Sequence, residues 1–185
     1  VTTDLQQLVA LVPPPPAPGA YATPAARLAA EASLGVTLPD DHRALLDTYG
    51  PGAFDDFLWL LAPGAEERHL DLVEQARVRL EALRSLATGG EVVPYDVGED
   101  GGELLPWAVT DNGDVCFWRC SPRHDPDRWG VVVNEARGPG WETFDLTATG
   151  FLLAVLSGRE RVRAFPSDVP SAQPRFTARA AEGAG

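Results

Sequence analysis

Apolar residues recur along this chain at two spacings, one helical and one extended. Residues 3–12 place Leu5, Leu8, Val9 and Val12 on one side of a short helix that Thr3 can cap. Pro13 to Pro16, then Pro18 and Gly19, end it and read as a stiff extended connector. The basic flanks that a proline-reading partner needs are missing from this run. Thr23-Pro24 opens a second helix, with a capping hydroxyl followed by proline at the first helical position; it runs to Leu34 and stops at Gly35. A third helix is predicted over 40–49, with Asp40 as its cap and Gly50-Pro51-Gly52 as its end. The run Phe57 to Leu61 is too short and too aromatic for a helix and predicts a buried strand. Residues 65–87 give the longest helical pattern, with Leu72, Val73, Ala76, Leu80 and Leu83 on one face and Gly89-Gly90 as terminator. A Gly-rich acidic loop follows over 91–103.

Strand patterns dominate from there. Leu104–Thr110 and Val115–Cys120 flank Asp111-Asn112-Gly113-Asp114, which predicts a hairpin with a two-residue Asn-Gly turn. Arg128–Asn134 and Trp141–Phe144 extend the meander, and Thr147–Leu156 predicts a closing helix with Gly158 at its end. Helices, a strand, a long helix, a meander and a last helix make an α+β domain: a mostly antiparallel sheet with helices packed to one side. The expected organisation is a single domain over 1–163, followed by a disordered Pro/Ala/Gly-rich tail over 164–185.

Charge changes this picture in one respect. The 185 residues carry 27 acidic and 15 basic side chains, a formal net charge of −12. Residues 1–118 hold 19 acids and 6 arginines, whereas 119–185 hold 8 and 9. The acidity is concentrated in 40–74 and in 91–103. Phosphate backbones and anionic membrane surfaces repel such a chain, so neither nucleic acid nor membrane is expected as a partner. No apolar run approaches the ~18 residues of a spanning helix. The N-terminal residues lack a basic segment and include Asp4, so a cytoplasmic location is expected rather than secretion. A charged partner should be basic.

Candidate chemistry is sparse. Cys116 and Cys120 lie four residues apart on a predicted strand, with Cα atoms about 13 Å apart at ~3.3 Å per residue. A disulfide needs less than about 7 Å, so buried free thiols are expected. His42, His69 and His124 supply no nucleophile motif with either thiol. Asp111 to Asp114 offers oxygen ligands but neither the spacing nor the closing Glu of a calcium loop. No cofactor, metal or catalytic residue is predicted, and the chain is not expected to be an enzyme. The tryptophans lie mainly on predicted strands, where core packing is their ordinary role and an edge position makes an interface anchor.

The segment from Glu31 through Leu34-Gly35, Leu38-Pro39-Asp40-Asp41 and Leu45-Leu46 to Gly50 resembles the signature of the SUKH superfamily of Smi/Knr-like domains. Leu105-Pro106-Trp107-Ala108, Asn112-Gly113-Asp114 and Trp118 resemble that family's hairpin, and Trp141 through Gly158 its last strand and helix. His42 stands where the family often has Tyr, and Tyr49 where Asn is common. The resemblance covers roughly residues 5–160 and implies a SUKH-like α+β domain that binds proteins without catalytic apparatus. It further implies a bacterial immunity protein that neutralises a cognate toxin, often a nuclease; the alternative is a regulatory scaffold of the cell-wall or growth-control type. The partner-binding residues expected are Asp55, Asp56, Tyr95, Asp96, Glu99, Asp100 and Glu103, facing a basic toxin domain.

Overall fold

The computed structural model describes residues 3–16, 23–98 and 102–179. Its helices begin largely where side-chain oxygens can take up free backbone N–H groups. In α1 (Asp4–Leu11), the Thr3 hydroxyl accepts from Gln6 N while Gln6 Oε1 accepts from Thr3 N. In α2 (Pro24–Leu34), Thr23 Oγ1 accepts from Ala26 N at 3.1 Å, and Gly35 closes the helix at φ 64°. The expected cap of α3 (Asp40–Tyr49) is absent: Asp40 is its first helical residue, and its carboxylate pairs with Arg43 at 3.0 Å instead.

α4 (Leu72–Thr88) starts seven residues later than the apolar pattern suggests. Asp71 is the reason. Its Oδ1 accepts from Glu74 N at 2.8 Å and its Oδ2 from Gly64 N at 3.0 Å, so one carboxylate both caps the helix and closes the preceding loop. Leu70 O and Ala62 O complete that loop by accepting from Ala62 N and Leu72 N. α5 (Ala148–Leu156) is capped by Thr147 and buried at every position.

The strands are β1 (Gly52–Phe54), β2 (Leu58–Leu60), β3 (Leu104–Thr110), β4 (Val115–Arg119), β5 (Gly130–Asn134), β6 (Trp141–Phe144) and β7 (Phe176–Ala178). They form one sheet in the order β6-β5-β4-β3-β2-β1-β7, antiparallel at every pairing. The β3–β4 turn differs from the two-residue form predicted. Gly113 N donates to Thr110 O and Thr110 N to Asp114 O, both at 2.9 Å, so the loop holds three residues, and within it only Gly113 takes a positive φ, 92°. Asp114 is buried there. It accepts from the Thr110 hydroxyl at 2.9 Å and from Ala136 N, in the β5–β6 turn, at 2.9 Å.

β3 is buried along its whole length and β4 everywhere but Arg119, which requires cover on both faces of the sheet. On the Trp118 face lie α1, α3 and α5, as the ring contacts His42–Trp118 (4.9 Å), Trp107–Phe151 (6.0 Å) and Phe144–Phe151 (5.0 Å) show. The Tyr49 hydroxyl donates to Val12 O at 2.7 Å and fixes α1 on α3. On the other face, the side of Phe117 and Trp141, lie α4 and the segment after it.

The tail is the main correction. Residues 164–179 are ordered chain rather than the disordered tail expected over 164–185; residues 180–185 lie outside the described residues. β7 pairs with β1, and Asp55 accepts from Ser171 N (2.8 Å), Ser171 Oγ (3.0 Å) and Arg175 N (3.0 Å). Composition argued for disorder, but the partners that order this segment lie more than a hundred residues earlier in the chain.

Candidate functional site

A groove of about 690 Å³ opens on the α4 face of the sheet, beside the β6 edge. Leu83 and Leu86 of α4 form one wall, Val92, Val93 and Pro94 the lip above it, and the β5–β6 turn and Trp141 the opposite side. The apolar lining is open to solvent: Val92 is 85% exposed and Leu86 41%. Glu91, Glu135 and Arg137 stand on the rim. The Glu135 side chain folds over the turn, its Oε2 2.7 Å from where a Cβ at Gly138 would stand. The Asp114 carboxylate braces this turn from behind through Ala136 N.

The lip is tied down at its far end. The Tyr95 ring packs on Trp141 at 5.3 Å and its hydroxyl meets Thr143 Oγ1 at 2.7 Å. Arg84 reaches from α4 to Val97 O and Gly98 O. Tyr95, one of the partner-binding residues expected, is therefore half-buried and packed on the sheet. Asp96 and Glu103 close the neck of the loop: Asp96 Oδ1 accepts from Gly98 N at 2.8 Å, and Glu103 Oε2 accepts from Asp96 N at 3.2 Å. Glu99 and Asp100 lie outside the described residues.

Asp55 and Asp56 are elsewhere, in the β1–β2 turn beside the β7 edge. Both take left-handed backbone angles, φ 53° and 52°. The Asp56 carboxyl is held below its ordinary 3.8 by the Thr177 hydroxyl and by Arg175, with which it pairs. The expected interface thus divides between opposite edges of the sheet. Residues not singled out as site candidates, Val92, Leu86 and Glu135 above all, line the better-formed surface. Val92-Val93-Pro94, an apolar step inside an acidic loop, was the signal for it in the sequence.

The two thiols and His42 are held in unreactive states. Burial pushes the Cys116 thiol up, and that of Cys120 up to about 12, so both stay protonated. Burial lowers His42 to about 4, while its Nε2 donates to Leu61 O at 2.9 Å; the imidazole is neutral and sealed beneath α3. No group of three or more His, Cys, Asp or Glu among the described residues could hold a metal ion.

A family model described as SMI1-KNR4 cell-wall, of the SUKH superfamily, matches residues 28–152. The chain belongs to the SMI1-KNR4 family. No curated protein and no solved structure matches it. The matched stretch runs from α2 into α5 and includes the groove, so this surface is built within the SMI1-KNR4 domain, whereas β7 lies outside it. Domains of the SMI1-KNR4 family are in general binding domains without catalysis, which agrees with the inert thiols. No helix among the described residues is long and apolar enough to cross a membrane.

Proposed function

We propose that this chain is an immunity-type protein that binds a basic toxin domain, of the nuclease kind, and blocks its working surface. The observation that carries this reading is the groove: an apolar wall and lip, with Leu86 and Val92 exposed, bordered by Glu91, Glu135 and a single Arg137. Apolar anchors surrounded by charge are what a protein interface uses, the anchors for affinity and the rim for steering. A nuclease is basic where it grips phosphate, and a chain of net charge −12 is attracted to that surface before contact.

The test is co-expression with a toxin encoded by a reading frame beside this gene. The chain should restore growth, and Val92→Glu with Leu86→Glu should abolish the rescue without unfolding the domain, because both side chains are exposed. With purified components, Glu91→Lys with Glu135→Lys should slow association about tenfold at low salt and much less at high salt. Undiminished rescue by the groove variants would remove the groove from the reading. A locus with no toxin frame beside it would favour the regulatory-scaffold alternative.

A further inference from the structure

β7 is unlike the other strands in what holds it. Three residues pair with β1, in the register Gly52↔Ala178, Ala53↔Thr177 and Phe54↔Phe176. Main-chain bonds flank them on both sides, from Asp55 N to Arg175 O at 2.8 Å and from Arg179 N to Pro51 O at 2.9 Å. Side chains alternate across the strand. Phe176 enters an aromatic corner against Phe54 (4.9 Å) and Tyr49 (5.0 Å). On the other face Arg175 pairs with Asp56, and Arg179 binds Glu67 at 2.7 Å while lying over Trp59 at 5.8 Å. Gly52 is shaped for this approach: a Cβ there would meet Thr177 O at 2.3 Å and the Phe176 ring at 2.6 Å.

This is recognition by main-chain pairing, one ring and two guanidiniums, and any extended chain of that chemistry satisfies it. The hold is light. The strand is three residues long, its ion pairs are solvent-exposed, and exposed pairs are individually weak. Once it is lifted, β1 becomes an open sheet edge beside Asp55 and Asp56, freed of their tail partners, and Glu67, left with His69 at 3.1 Å, a surface complementary to a basic strand. We propose that the β1 edge is a docking site for an extended, arginine-bearing segment of a protein partner, and that the chain's own residues 171–179 occupy it until exchanged. The proposal rests on the reading of this chain as a protein-binding domain, but at a surface separate from the groove.

The experiment uses the full chain carrying Arg175→Glu and Phe176→Ala, which removes the ion pair and the ring that seat the strand. The probe is a labelled peptide of residues 171–179 with the natural sequence. The variant should bind it at least tenfold more tightly than the unaltered chain, whose site is filled. Binding should weaken with salt, and the Ala53 and Asp55 amides should regain protection from hydrogen exchange. Adding Gly52→Val should abolish binding by closing the approach. Three results would overturn the proposal: slow exchange at Thr177 in the variant, which would mean a strand that does not lift; a lifted strand with no gain in peptide binding; or equal binding by a peptide with both arginines replaced by Glu. The groove reading stands or falls on Val92→Glu rescue, which none of these measurements touches.

Discussion

The acidic stretches 40–74 and 91–103 are both rich in carboxylates, but those carboxylates do different work. Most carboxylates of the first are bound within the molecule. Asp41 accepts from Thr149 N on α5 at 3.0 Å, Asp55 and Asp56 hold the tail, Glu67 binds Arg179, Asp71 caps α4, and Glu74 binds Arg68 at 2.7 Å and Arg77 at 3.0 Å. In the second stretch, among the described residues, Asp96 and Glu103 bind only backbone of their own loop, and Glu91 makes no hydrogen bond or ion pair through its side chain. A count of charge along a sequence therefore says little about charge available to a partner. What decides availability is whether arginines elsewhere in the chain reach those carboxylates, and here the arginines of the tail do.

The comparison can be broken by perturbing each region and reading stability. The largest effect is expected from pH, beneath α3 in the first region. His42 titrates at about 4 when folded against 6.5 when free, so the unfolded chain takes up the proton first. Stability is then full above pH 6.5 and falls by about 3 kcal/mol as pH drops toward 4. Urea melts at pH 7 and 4.5 should show this fall, and His42→Phe should flatten the slope even if it lowers the plateau. Next, Asp55→Ala removes three hydrogen bonds to a carboxylate and should cost about 2 kcal/mol. The accompanying signature is faster hydrogen exchange at Thr177, with β3 and β4 unaffected. Asp71→Ala, which strips the cap of α4, should cost about 1 kcal/mol in the same melts. Smallest of all, Glu91→Gln should stay within about 0.5 kcal/mol of the unaltered chain while slowing partner association. If Glu91→Gln destabilised as much as Asp55→Ala, the distinction between the two stretches would fail.

Much of the fold was legible because its signals are local. Thr23-Pro24 and Thr147 mark helix starts with their own hydroxyls, Gly35 and Gly158 mark ends, and Asn112-Gly113 marks the hairpin. The start of α4 was misread because an apolar pattern continues through residues that Asp71 folds into a loop. β1 and β7 were missed for a different reason. Each is three residues long, and neither carries a strand pattern of its own; Gly52, Asp55 and the aromatic corner specify them across the chain. The site was half legible. The loop after α4 stood out for its charges, which drew notice away from Val92, and the Tyr95 ring could not be placed on Trp141 without the register of β6.

If the groove holds a partner as proposed, the bond from Ala136 N to Asp114 has a consequence for how that partner changes over generations. One jaw of the groove is bolted to the central hairpin by a buried carboxylate. The other, from Glu91 to Pro94, makes a single backbone hydrogen bond to the rest of the described chain, from Glu91 N to Leu86 O, and otherwise rests on the packing of Val93 and the tether at Tyr95. A clamp with one rigid and one compliant jaw keeps the register of what it holds while tolerating drift in its shape. Substitutions in a partner that meet the compliant jaw can be absorbed at little cost, whereas those that meet the rigid jaw require a matching change around Glu135.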